Sequence, residues 1–262
     1  MPAFPQLATG ASALYPVTRR NVTRTVVNTL GDGSTVVLAD PDAAMREWEL
    51  QASGLTLNEW AAIDTLFQTV AGRFGTFTFL DPFGNLLLRS EEFGDPAWNS
   101  SPLIQLTPGV SDPLGTTRAT QVVNAGSAAG AVTQTLAVPG NFRYTLSVWA
   151  KTTSVSNVTL SATTSGGSAT RSIALTSQWR RVLLDVDLGL NTESVVFGVG
   201  LDVGAIVDLF GMQVEAQIGA SDYKKTESNG GVYAQARFAE DELTVTAKGT
   251  DLFNVTVRIV GS

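Results

Sequence analysis

The sequence predicts a mainly β protein: a split α+β domain, β-rich with one helix, interrupted by an inserted β-sandwich or jelly roll. Three observations carry this. Residues Arg73 to Asn85 alternate as a strand, with Phe74, Thr76, Thr78 and Leu80 on one side and Phe77 and Phe79 on the other, and end in the turn signals Asp81-Pro82 and Gly84-Asn85. Residues Val232 to Val260 read as short strands that need a sheet to join. Between them runs a long series of short alternating segments broken by turn residues. The first and last stretches therefore read as one sheet and the middle as a guest. This places a discontinuous domain over residues 1–87 and 229–262, and the insertion over 88–228.

The elements follow in order. Residues 1–16 form an extended arm whose Phe4, Leu7 and Tyr15 need cover, either from their own domain or from a neighbouring copy. Asn21 to Thr29 and Ser34 to Ala39 alternate around Gly31-Asp32-Gly33, which reads as a hairpin turn. Asp40-Pro41-Asp42 breaks the pattern, and Met45 to Ala52 is a third strand. Leu57 to Ala71 is the one helix. Thr56 and Glu59 have capping-box spacing, Trp60, Ile63, Phe67 and Val70 make an apolar stripe, and Gly72 caps the end.

Within the insertion, strands are expected near 117–123, 132–138, 144–151, 155–164, 169–175, 179–186, 195–201 and 206–215. Ser228-Asn229-Gly230-Gly231 reads as a flexible joint, followed by strands at 232–239, 243–248 and 253–260.

Composition excludes whole classes. With 0 Cys and 0 His, there is no thiolate nucleophile, no disulfide, no Ser-His-Asp triad and no common zinc site. A net charge of −7 argues against nucleic acid or anionic lipid as a main partner. Met1-Pro2-Ala3-Phe4-Pro5 lacks the pattern of a signal peptide. The most apolar window, Val195 to Phe210, is broken by Asp202, Asp208 and glycines, so no membrane insertion is expected.

Candidate sites rest on residue type and placement. Trp98, Phe142, Trp149, Trp179 and Tyr223 are the aromatics that could stack on sugar rings; core packing is the competing role. Asp185 and Asp187 share a strand face about 7 Å apart, a spacing that glycoside hydrolysis can use but that is common. Without a matching acid context the expectation is no enzyme and no catalytic residue. Arg19, Arg20 and Arg24, with Glu47 and Glu49, offer charges for pairing between subunits or across strands.

Two resemblances follow. Asn85-Leu86-Leu87-Leu88-Arg89-Ser90-Glu91-Glu92-Phe93, Pro96-Ala97-Trp98, Tyr144 to Lys151, Gln178 to Val182, Gly211 to Glu215 and Ser221-Asp222-Tyr223 together resemble the jelly-roll carbohydrate-binding modules of tailed-phage structural proteins. The helix with Trp60 and Phe67, then Phe77 to Gly84, and finally Ala236-Arg237-Phe238 with the terminal strands, is similar to the distal-tail (tail-tip or baseplate) family of long-tailed phages and gene-transfer agents. The resemblance implies a non-catalytic virion protein of the tail tip, made in the host cytoplasm. It implies a homo-oligomeric ring, hexameric in that family, meeting tail tube and tail hub proteins, with the inserted sandwich touching host-surface polysaccharide. A free carbohydrate-binding or adhesin protein is the alternative, and a glycan-active enzyme a further one. No cofactor is expected; Glu92 and Asp208 sit where such modules place a structural calcium.

Overall fold

The structure, a computed structural model, describes residues 2–154 and 156–261. The chain divides into two units, Met1–Leu7 with Ala13–Phe79 and Tyr233–Ser262, and Ala8–Ser12 with Leu80–Val232. In chain order the elements are β1 (Val17–Thr29), β2 (Thr35–Leu55), α1 (Leu57–Thr69), β3 (Phe77–Leu80), β4 (Asn99–Ser100), β5 (Ile104–Val110), β6 (Ala119–Asn124) and β7 (Gly130–Leu136). They continue as β8 (Arg143–Lys151), β9 (Asn157–Thr164), β10 (Gly167–Ala174), β11 (Arg180–Asp187), β12 (Val195–Leu201), β13 (Ile206–Glu215), β14 (Val232–Phe238), β15 (Val245–Gly249) and β16 (Leu252–Gly261).

The first unit is a six-stranded sheet in the order β1-β2-β16-β14-β3, with β15 on β16. Phe77 and Val257 thus belong to one sheet although the whole sandwich separates them in sequence. The ladder of β16 on β2 runs antiparallel from Phe253 opposite Leu55 to Gly261 opposite Arg46. Its core is aromatic: Trp48 packs edge-on to Phe79 and Tyr233 at centroid distances of 4.9 and 4.6 Å. Phe238 meets Phe77 and Phe67 at 4.9 and 5.1 Å. The capping box of α1 forms as predicted: Glu59 N donates to Thr56 Oγ1 and Thr56 N to Glu59 Oε2. The helix buries Ile63, Leu66 and Val70 and stops where Ala71 and Gly72 turn left-handed.

Asp40-Pro41-Asp42 does not end a strand: β2 continues through it with extra residues, so that Val22 of β1 lies opposite Met45 but Arg24 opposite Asp40. The strand expected from Arg73 starts only at Phe77. Gly75 lies so close to the helix end that a Cβ there would meet Val70 O at 2.7 Å, and Phe74 is turned out, 84% exposed. Residues 80–87, placed in the split domain by sequence, belong to the second unit, because Leu80, Leu86 and Leu87 enter its core.

The second unit is a sandwich of two five-stranded antiparallel sheets, β10-β9-β12-β7-β4 and β11-β8-β13-β6-β5. Alternation sends Tyr144, Leu146, Val148 and Ala150 of β8 inward against Val158, Leu160, Phe197 and Val199. β4 and β5 lie in the stretch read as irregular, where a register shift at Gly109, between Pro108 and Val110, interrupts the pairing of β5. The Gly230-Gly231 joint is not slack. A Cβ at Gly230 would meet Leu86 O at 2.5 Å, and Gly231 donates to Asn85 O while its own carbonyl accepts from Asp81 N. Asn85 ties the two ends of the insertion together. Its amide donates to Met212 O and Lys224 O, and its oxygen accepts from Leu87 N and Val214 N. Each buried polar atom of Asn85 therefore has partners, as a buried amide requires.

Candidate functional site

The period that buries alternate residues of β8 turns Thr145, Ser147, Trp149 and Lys151 to the outer face of the β11-β8-β13-β6-β5 sheet. Cross-strand register then builds a row. Lys151 lies opposite Asp208 of β13, which lies opposite Gln121 of β6. Asp208 is buried and accepts from Gln121 Nε2 at 3.2 Å, and Lys151 Nζ approaches it at 3.5 Å. The same ammonium sits 4.9 Å from the centre of the Trp179 ring. Trp149, half-exposed, occupies the next row between Arg181 and Phe210. Two indoles and a chain of fixed polar groups thus share one sheet face. Such a face can stack on the apolar side of a sugar and hydrogen-bond its hydroxyls.

The other half of this face is covered by the chain itself. Glu215, buried on β13, accepts from Ser221 N and Oγ, Gln213 Nε2 and Lys224 Nζ. Burial works against its charge, yet the bonds from Ser221, Lys224 and Gln213 hold the carboxyl below the usual range. Arg181 donates to Ser221 O and Ser147 Oγ, pinning the same segment. Tyr223 lies on Phe210 at 5.4 Å and bonds Ser90 Oγ and Glu91 Oε1; burial pushes its hydroxyl pKa well up. Gly211, at φ +63°, makes room for this, since a Cβ would meet the Tyr223 ring at 2.9 Å.

Of the five aromatics singled out in sequence, Trp149 and Trp179 come together on the open half of the face. Tyr223 is part of its cover. Trp98 is only 6% exposed, with its indole N–H donating to Arg89 O and its ring 5.1 Å from Phe93, so it offers a sugar no free face. Phe142 packs on the core side near Tyr144. Lys151 and Gln121 were missed. Lys151 was legible, two residues beyond Trp149 on the same strand; Gln121 depends on cross-strand register.

Asp185 accepts from Thr145 Oγ1, and Asp187 pairs with Arg143 at 2.9 Å, so each has its own partner. Glu92 and Asp208 do not fit a calcium ion. Each already faces a cation, Arg89 at 3.2 Å and Lys151 at 3.5 Å, and among the described residues no group of three or more acidic side chains gathers.

In the first unit, Phe4 and Leu7 are buried in their own fold. Phe4 packs on Phe77 and Phe79, and Ala3 pairs in parallel with Thr78. Tyr15 remains 73% exposed. Arg24 pairs across the hairpin with Asp40 at 3.0 Å, Arg20 stands opposite Glu47, and Glu49 takes Arg258 of β16. Arg19 is exposed on β1. Since β16 pairs with β2 only from residue 46 onward, the far half of the β1-β2 hairpin is a two-stranded ribbon. Val27, Val37 and Leu38 on it are 58, 62 and 52% exposed.

No protein-family model matches the chain, and no curated protein does. Several solved structures are similar in part. The enzymatically active domain of tailspike protein 4 from bacteriophage CBA120 is 14% identical, covering 52% of this chain and 22% of its own, with a TM-score of 0.42. A family 61 carbohydrate-binding module solved with β-1,4-galactotriose is 15% identical over 50% of this chain and 97% of its own, at 0.40. The family 22 xylan-binding domain from Paenibacillus barcinonensis is 14% identical over 52% of this chain and 97% of its own, at 0.42. These are likenesses of the β-sandwich shape; the site rests on its own residues.

Proposed function

We propose that the protein is a structural component of a phage tail tip, assembling as a ring through its split unit and presenting the sandwich to host-surface glycans. In this reading it is a virion protein without catalytic residues, and its neighbours are tail tube and hub proteins. The observation that carries assembly is the ribbon. An isolated two-stranded ribbon is marginal in water, and this one exposes Val27, Val37 and Leu38. β1 is also a free sheet edge of 13 residues, which another chain can extend. Phe4 and Leu7, buried at home, leave the arm no large share in that contact, whereas Tyr15 and Arg19 stay at the surface.

Triple substitution Val27→Ser, Val37→Ser, Leu38→Ser tests the reading by sedimentation. The intact chain is expected to sediment as one defined oligomer and the variant as a monomer with its thermal transition in place. A monomeric intact chain at high concentration removes the assembly role. It would favour the second reading, a stand-alone glycan-binding protein, which the row Trp179, Lys151, Asp208 and Gln121 with Trp149 supports by itself.

A further inference from the structure

We infer a second, anion-selective subsite at the open edge of the sandwich, between β10 and β11, that takes the carboxylate of an acidic sugar. β10 and β11 are the edge strands of the two facing sheets, so a seam opens between them. On β10, Arg171 stands opposite the inward-facing Leu160, and on β11, Arg180 stands opposite the inward-facing Ala150. Both arginines therefore point to the seam rather than to the outer faces. They border a notch of about 300 Å³ whose other walls are Ile173, Val182 and Leu183 with Arg181, whose guanidinium turns away to Ser147 and Ser221 on the outer face.

Two of these charges, those of Arg171 and Arg180, have no carboxylate partner among the described residues. The Arg180 guanidinium has no hydrogen bond or ion pair among the described residues, and that of Arg171 donates only to the backbone Leu183 O at 3.0 Å. Arg181 holds Ser221 O and Ser147 Oγ, and its buried Nε has no acceptor. Glu215 and Asp222 act on Arg181 electrostatically, but the Glu215 oxygens are already engaged by Ser221, Gln213 and Lys224. In a chain of net charge −7, Arg171 and Arg180 stand out as neighbouring cations with no carboxylate partner among the described residues. Guanidinium groups bind planar oxyanions with two parallel bonds and are weakly hydrated, so an oxyanion on a ring that also touches Ile173 and Val182 fits the notch. A uronic-acid residue has both features.

The subsite rests on the glycan-binding reading, and Trp179, the residue before Arg180, turns to the neighbouring aromatic face. A polysaccharide that spans both would be read for its sugar stacking at one and its charge at the other. Calorimetric titration of the full chain with oligogalacturonate, with a neutral galacto-oligosaccharide of equal length and with inorganic phosphate is the test, run on the native sequence and on Arg180→Gln alone and combined with Arg171→Gln. The acidic oligomer should bind more tightly than the neutral one. The double variant should lose about tenfold or more of that affinity, the scale of a charged hydrogen bond, and keep its affinity for the neutral one. Added salt should weaken only the acidic ligand. Equal binding of both oligomers, unchanged acidic binding in the variants, no acidic binding, or binding of phosphate without the oligomer each overturns the subsite. Neutral binding that survives any of these results leaves the aromatic face standing, so the two failures are distinct.

Discussion

At the residue scale, similar side chains in the sandwich meet opposite fates. Trp98 and Trp149 both sit in or beside alternating stretches, yet one is core and the other half-exposed. Strand parity set Trp149 apart from Val148 and Ala150 in sequence but left core packing open as its role. It could not settle Trp98, whose burial comes from a turn that folds back over Phe93 and Arg89. Trp98→Ala should therefore cost about 3–5 kcal/mol of stability in urea unfolding, the usual penalty for deleting a buried ring. Trp149→Ala with Trp179→Ala should cost much less and abolish most binding on a glycan array. Retained binding would remove the aromatic face as the site. A third residue, Asp112, escaped the sequence reading because the donors to its carboxylate come from a local loop. Burial opposes its charge, but Thr116 Oγ1, the backbone N–H groups of Arg118, Thr116 and Leu114 together lower its pKa from 3.8 to about 2. A depressed carboxylate stabilises the fold above its unfolded pKa and loses that contribution as pH falls through the folded value. The stability deficit of Asp112→Asn should thus be full above pH about 4 and shrink toward pH about 2, as read from urea midpoints. A deficit independent of pH would contradict the network.

At the element scale, what was legible is what local chemistry dictates. The capping box at Thr56 and Glu59, the Gly31-Asp32-Gly33 turn and the strand runs of the sandwich all follow from spacing alone. Long-range packing decided what was missed. β4 and β5 carry weak patterns and are held as edge strands by their neighbours β7 and β6. The continuity of β2 through Pro41 is possible because the irregularity falls where β16 no longer pairs, so only the β1 side must adjust. The Gly230-Gly231 pair looked like a hinge in sequence. It is glycine because Leu86 O passes within contact of where a side chain would be. Of the candidate glycan face, the two indoles were candidates by residue type, with core packing as the competing role, and the Lys151-Asp208-Gln121 row was not legible, since register between β8, β13 and β6 is set by the whole sheet.

At the scale of the whole molecule, the split unit closes without the insertion's help in its ladder. β3, which precedes the insertion, and β14, which follows it, are adjacent in one sheet. The insertion's ends run side by side, Asp81 N donating to Gly231 O at 2.8 Å. A chain in which residues 81–231 are replaced by a short Gly-Ser turn should therefore still fold and still assemble. The ring is the least local of the inferences, because it depends on a ribbon that, among the described residues, has no partner strand beyond residue 46 of β2. Negative-stain imaging of the full chain beside the shortened one is the most direct test. The account predicts closed, rotationally symmetric particles from both, with one added lobe per subunit in the full chain only. Isolated monomers or open filaments from the full chain would contradict it.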